Sequence, residues 1–292
     1  PLQYVVIIGG DDVLPMARVA DTTEVSNEVD YANSFGRSNP LARSAAAGRV
    51  LTDNIYGDFN PGTIGDSALL VPELAVGRLV ETPTQISTQI DAFIGSGGRL
   101  VADTQSVAAY DFLLDSGAAI ASNLGSSDPS LINDSWNRSA LLTALGANPR
   151  VISLNAHFTE GGYPDQVGLD DVTALRTALV FSVGCHSGLN VPRTYDTGGG
   201  LRFRDWADEL SDQSALFVAN TGFGYGDTQA IALSEQLMTS FSGLIGTYTA
   251  GQALVAAKQD YAASLGSYVG YDEKVVHQST MYGLPMYSLV PV

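Results

Sequence analysis

The chain has 292 residues, of which 45% are apolar and 15% charged. That balance excludes disordered and fibrous classes, and no run approaches the roughly 18 uninterrupted apolar residues of a membrane-spanning helix. Basic side chains number 14 against 31 acidic ones, a net charge of −17, and such a field repels phosphate backbones and argues against nucleic-acid partners. The single cysteine, Cys185, excludes an internal disulfide framework and any multi-cysteine metal centre.

In chain order, short apolar runs alternate with segments of helical period. The runs are YVVII from Tyr4, ELAVGRL from Glu73, SVAAYDF from Ser106, VISLNA from Val151, ALVFSV from Ala178 and ALFVAN from Ala215. Their nearly continuous hydrophobicity predicts strands covered on both faces, hence a mainly parallel sheet in a three-layer α/β/α sandwich. Helices are predicted over Pro83 to Ile94, with Thr82 as cap and Pro83 at the first position, then over Gly117 to Leu124 and Ser139 to Leu145, and later from about Thr228 to Phe241 and Thr249 to Leu265. The polar, aperiodic stretch from Asp21 to Asn60, with Asn39-Pro40 inside it, reads as a long loop or insertion. The glycine-rich IGSGG at Ile94 to Gly98 marks an expected boundary between a smaller lobe, residues 1–96, and a larger one, residues 97–292. Pro1 is followed at once by an apolar run, without the basic start and cleavage site of a signal peptide, as in a segment of a longer precursor. The scarcity of lysine, only Lys258 and Lys274, suits a secreted or salt-exposed protein.

The chemistry concentrates at two strand ends. VISLNA runs into His157 and ALVFSV into Gly184-Cys185, with residues 158–177 between them. If the two strands are parallel neighbours, both residues emerge at the carboxyl edge of the sheet, where open α/β folds bind ligands. A cysteine nucleophile needs a base or a thiolate form, an acid for the leaving group, and donors for the developing oxyanion. Cys185 and His157 supply the first two, and the backbone N–H groups of Cys185 and Phe158 are candidates for the third. Against this stands the plain reading that a lone cysteine is a small buried hydrophobe. The placement of Cys185 in the small, polar GCHSG, past the apolar run, favours a loop. His186 is expected in the pocket wall, since successive side chains at a strand end point apart.

The order of histidine and then cysteine, each closing a hydrophobic strand (SLNAHF, then LVFSVGCHSG), resembles the caspase-fold cysteine peptidases and more closely their gingipain-like branch. The segments YVVIIGGDDVLP, DNIYGDF, ELAVGRLVETPTQI, ANTGFGYGD and DEKVVHQSTMYGLPMYSL carry the resemblance through most of the chain. It implies an α/β/α fold, Cys185 as nucleophile, His157 as general acid/base, and a secreted or surface-attached endopeptidase acting on polypeptides within a larger multidomain protein. No cofactor is required. The chain departs from the pattern at Phe158, where the family has glycine directly after the histidine. The alternative is a catalytically inactive relative that uses the fold for binding or surface assembly. A flavodoxin-like small-molecule binder also fits the alternation of strands and helices, and would leave the histidine and cysteine placement coincidental.

Gingipain-like enzymes cleave after basic side chains, which calls for an acidic pocket floor; the candidates are Asp103, Asp111 and Asp115, with Asp111 at the same sheet edge if its strand is parallel to the others. In TGFGYGD the three glycines lack the spacing of a dinucleotide fingerprint and no lysine follows, so the segment is read as a turn lining the cleft, with Asn220, Phe223 and Tyr225 as pocket residues. Asp11, Asp12, Asp53 and Asp58 would form a structural calcium site if the N-terminal loops converge. The sequons at Asn133 and Asn137 matter only in a eukaryotic secretory setting.

Overall fold

The computed structural model describes residues 2–35, 39–64, 67–163, 167–172, 175, 178–195 and 204–290. Seven strands form the central sheet: β1 (Tyr4–Ile8), β2 (Ala75–Leu79), β3 (Gln105–Ala109), β4 (Val151–Asn155), β5 (Leu179–Phe181), β6 (Leu216–Asn220) and β7 (Ser279–Tyr282). Their spatial order is β1-β2-β7-β6-β5-β4-β3. Every pairing is parallel except β6 with β7. The chain sense therefore reverses at that junction, and β3 to β6 share one carboxyl edge.

Nine helices are described: α1 (Glu28–Tyr31), α2 (Pro40–Ala46), α3 (Pro83–Ser96), α4 (Leu114–Leu124), α5 (Arg138–Gly146), α6 (Trp206–Asp212), α7 (Leu233–Leu244), α8 (Ala250–Ser264) and α9 (Gly270–Gln278). Strand β6 shows why its run is unbroken. Leu216 and Val218 face a core shared with α4, α7, α8 and α9, through Ile120, Leu237, Phe241, Ala253 and Val276. Phe217 and Ala219 face the opposite core, with Leu141 of α5 and Trp206 and Leu210 of α6. With both faces covered, the period of two is hidden in the sequence but not in the packing. The expected three-layer α/β/α arrangement is present.

The expected boundary at Ile94 to Gly98 coincides with the end of α3, where Gly97 and Gly98 both take left-handed φ. Strands on either side of it belong to the same sheet. The stretch expected as a long loop from Asp21 to Asn60 instead holds α1, α2 and a strand, Arg49–Thr52, paired antiparallel with Ala17–Ala20. Asn39-Pro40, which reads as a turn, is a helix start: the Asn39 side chain accepts the Ala42 N–H and Pro40 sits at the first position. Tyr31, Leu41 and Leu51 of this stretch pack with Met16, Leu189 and Val191 in a third core cluster, so its order comes from tertiary burial that no local period announces.

Helix α9 and strand β7 carry no unbroken apolar run, because buried polar residues stand among the core residues Val275, Val276, Met281 and Tyr282. Asp272 accepts the Tyr261 hydroxyl at 2.7 Å, and His277 Nε2 accepts the Leu70 N–H at 3.0 Å. Lys258 of α8, 2% exposed, donates to Asn54 Oδ1 and to the Ser279 carbonyl, both at 2.5 Å. Burial pulls the Lys258 ammonium down to about 7, against the opposing pull of Asp53. Burial and then the Lys258 charge take His277 down to about 4. A base whose folded value is lowered leaves the unfolded chain binding more protons between that value and the ordinary lysine range, so its contribution to stability rises with pH across that window. Chemical denaturation from pH 7 to about 10 should therefore show the stability of the native chain climbing relative to Lys258→Met. A difference that stays constant across the window would contradict a lowered lysine.

Candidate active site

The carboxyl ends of β4 and β5 build the site. These strands pair parallel with Leu179 opposite Val151 and Phe181 opposite Ser153. Beyond the strands, Gly184 lies against the Ala156 carbonyl and the Phe158 ring, so His157 and Cys185 leave the sheet at the same carboxyl edge. The two exit loops touch. The Phe158 ring lies so close over Gly184 that a Cβ there would fall 2.3 Å from its Cδ2.

Phe158, the departure from the family pattern, is buried, with its ring 5.5 Å from that of Trp206. Its bulk therefore lies in the core between the two exit loops rather than in the cleft. His157 by contrast is exposed. Its Nε2 stands 3.8 Å from Asp111 Oδ2, both side chains 60% exposed, and the Tyr110 and Phe112 rings flank the imidazole at 5.8 and 6.0 Å.

Asp111 thus lies at the shared sheet edge, but beside the histidine rather than at the floor of a pocket. It adopts φ 58°, a conformation aspartate tolerates better than most residues, and Asp134 accepts its N–H at 2.7 Å. Asp103 sits at the opposite, amino end of β3, and Asp115 is exposed in the first turn of α4.

Cys185 is half-buried, its Sγ 3.6 Å from the Gly224 carbonyl oxygen. Burial pushes the thiol above its usual range, and the Gly224 contact offsets this only in part. The thiol is protonated at rest near neutrality and needs a base to become a nucleophile. Gly224 is there because nothing larger fits: a Cβ would lie 2.0 Å from the Val183 carbonyl oxygen. TGFGYGD is therefore a strap pressed onto the Cys185 loop, not a phosphate loop.

Three residues expected in the pocket lining are structural supports. Asn220 is buried; its Nδ2 donates to the Val183 and Gly184 carbonyls at 2.9 and 3.5 Å, and its Oδ1 accepts from Ser279 Oγ. His186, wholly buried, turns away from the cleft to bond Glu28 Oε2 at 2.9 Å. Tyr225 donates its hydroxyl to the Ser26 carbonyl at 2.8 Å. Phe223 is partly buried against Tyr31 and His186. Sequence reasoning missed Glu28, Tyr31 and Lys274, whose partners lie more than a hundred residues away; the rarity of lysine was the one available signal.

The four aspartates proposed for calcium do not converge. Asp11 is held by Arg18 and the Met16 N–H, Asp12 accepts from Thr194, Asp53 pairs with Arg78, and Asp58 accepts the Asn60 and Val71 N–H groups. Among the described residues no group of three or more metal-ligating side chains could hold an ion.

The whole architecture superposes on gingipain R (RgpB), the Arg-specific cysteine proteinase, with a TM-score of 0.62 over 99% of this chain at 14% identity. The fold is gingipain-like. The complex of Porphyromonas gingivalis RgpB pro- and mature domains gives 0.59 at 14% identity, and a structure described as a protease gives 0.57 at 10%. This chain spans 64%, 66% and 65% of those three chains. No family model and no curated protein matches the sequence. Among the described residues of this gingipain-like fold, no helix is long and apolar enough to cross a membrane.

Proposed function

We propose that the chain is the peptidase domain of a cysteine endopeptidase, secreted or surface-attached and part of a larger protein, acting on polypeptides. The observation that supports this reading is the parallel pairing of β4 with β5, which brings the loops of His157 and Cys185 out at one carboxyl edge, with Asp111 beside the imidazole. In the proposed cycle His157 takes the Cys185 proton as sulfur attacks the peptide carbonyl. The oxyanion is received by the N–H groups of Cys185 and Phe158. His157 then protonates the departing amine and deprotonates the water that hydrolyses the thioester. Asp111 holds the imidazole in orientation and supports its positive charge. The RgpB chains, longer than this one and in one case bound to a pro-domain, support the larger-protein part of the proposal.

A second reading, a non-catalytic interaction domain, draws support from the thiol that burial keeps protonated. The two separate in one assay: fluorogenic peptides varied at the residue before the scissile bond, before and after alkylation of Cys185. Peptidase activity that disappears as alkylation reaches one equivalent supports the first reading. No hydrolysis of any peptide by the folded chain overturns it.

A further inference from the structure

Behind Cys185 lies a buried polar cluster that the cycle above does not use. His186 is wholly buried and adopts φ 52°, a left-handed conformation that is strained for a non-glycine residue and persists only where its surroundings dictate it. Those surroundings are specific. The His186 ring stacks on Tyr31 with centroids 3.4 Å apart and 10° between planes, and meets Phe223 edge-on at 4.6 Å. Its main-chain N–H donates to the Gly222 carbonyl at 2.7 Å, and Nε2 bonds Glu28 Oε2 at 2.9 Å.

Glu28 then branches. Its Oε1 accepts the Phe223 N–H at 3.0 Å and the Lys274 ammonium at 2.8 Å. Lys274 also pairs with Asp21 at 2.7 Å and donates to the Ser26 carbonyl. Burial alone would push the Glu28 carboxyl up; His186 and Lys274 outweigh it and hold the group at about 2. Tyr31, stacked on His186, donates its hydroxyl to Glu160, three residues beyond His157. One short segment, residues 21–31, thereby ties together the cysteine loop, the 222–225 strap and the histidine loop.

We propose that His186, clamped by Glu28, is the positioning residue that fixes the Cys185 main chain for oxyanion binding. The proposal rests on the peptidase reading and adds a residue to it. The N–H groups on either side of Cys185 are already committed, Gly184's to Ser182 Oγ at 2.9 Å and His186's to Gly222, so the strained turn at His186 sets where the Cys185 N–H points. Loss of the clamp lets that turn relax, and a displacement of about 1 Å is enough to cost on the order of a hundredfold in rate.

The test uses His186→Asn, which tolerates left-handed φ but lacks the imidazole, and Glu28→Gln, which keeps shape and loses charge. Peptide hydrolysis and inhibition by a peptide aldehyde both place an oxyanion against the Cys185 N–H. Displacement of iodide from iodoacetamide by the same sulfur forms no oxyanion. Both variants should lose about tenfold to a hundredfold in kcat at nearly constant KM, with a matching loss of aldehyde affinity, while alkylating within about threefold of the native rate.

Where His186→Asn fails to fold, as judged by its thermal transition, Glu28→Gln carries the test. Folded variants with native kcat, or a kcat loss equalled by the alkylation rate, overturn the positioning role. A native chain that neither cleaves peptides nor binds the aldehyde overturns the peptidase reading instead.

Discussion

Cys185→Ala is expected to reduce peptide hydrolysis by at least about a thousandfold, and His157→Ala to come close to it. The near-equality follows from the state of the thiol. A cysteine already ionised by its surroundings would keep much of its nucleophilicity without a histidine, but burial pushes Cys185 up and leaves it protonated at neutral pH. The attacking sulfur then depends on proton removal by His157, and the leaving amine depends on the same group for its proton. Residual activity of His157→Ala should rise with pH as the thiolate forms unaided. The measurement is kcat/KM from pH 6 to about 10 for the native chain and both variants. Hydrolysis by Cys185→Ala equal to that of the native chain would remove the cysteine from the chemistry.

The largest expected loss of stability comes from Asp53→Ala. Arg78, 1% exposed, donates to Asp53 in a two-pronged contact, Nε to Oδ2 at 2.8 Å and Nη2 to Oδ1 at 2.5 Å, while Nη1 donates to the Gly9 and Leu14 carbonyls. Removing the carboxylate strands a guanidinium in the interior, at a cost of about 3–5 kcal/mol, or a fall of roughly 5–10 °C in the unfolding midpoint for a chain of this size. Asp53→Ala combined with Arg78→Met should recover part of the loss, because no unpaired charge then remains. The exposed Arg138–Asp171 pair is the internal control, and its removal should leave the midpoint in place. A fall in the double variant as deep as in Asp53→Ala would mean that the carboxylate acts through something other than Arg78.

The six apolar runs announced six of the seven strands of the sheet and, through their unbroken hydrophobicity, its double coverage. The positions of His157 and Cys185 at strand ends pointed to the carboxyl edge that holds the candidate site. Both are local signals, written within five or six residues. The support of that edge is not local. Glu28 meets Lys274 across 246 positions of sequence and His186 across 158, and polar residues that satisfy each other inside the fold look, in sequence, like a solvated face. For the same reason α9 was invisible, and His186 and Asn220 were assigned to the cleft when their partners turn them inward. Asp111 was placed at the correct edge, because β3 pairs parallel with β4. The sequence could not tell that its neighbour there is His157.

Both lysines of this chain are interior, each 2% exposed and each bound by oxygen acceptors. The native surface therefore offers no lysine amine to acylating dyes, aldehyde fixatives or lysine-directed cross-linkers. Such reagents would modify lysine only in molecules that have opened, so their incorporation at Lys258 and Lys274 counts unfolding events rather than surface area.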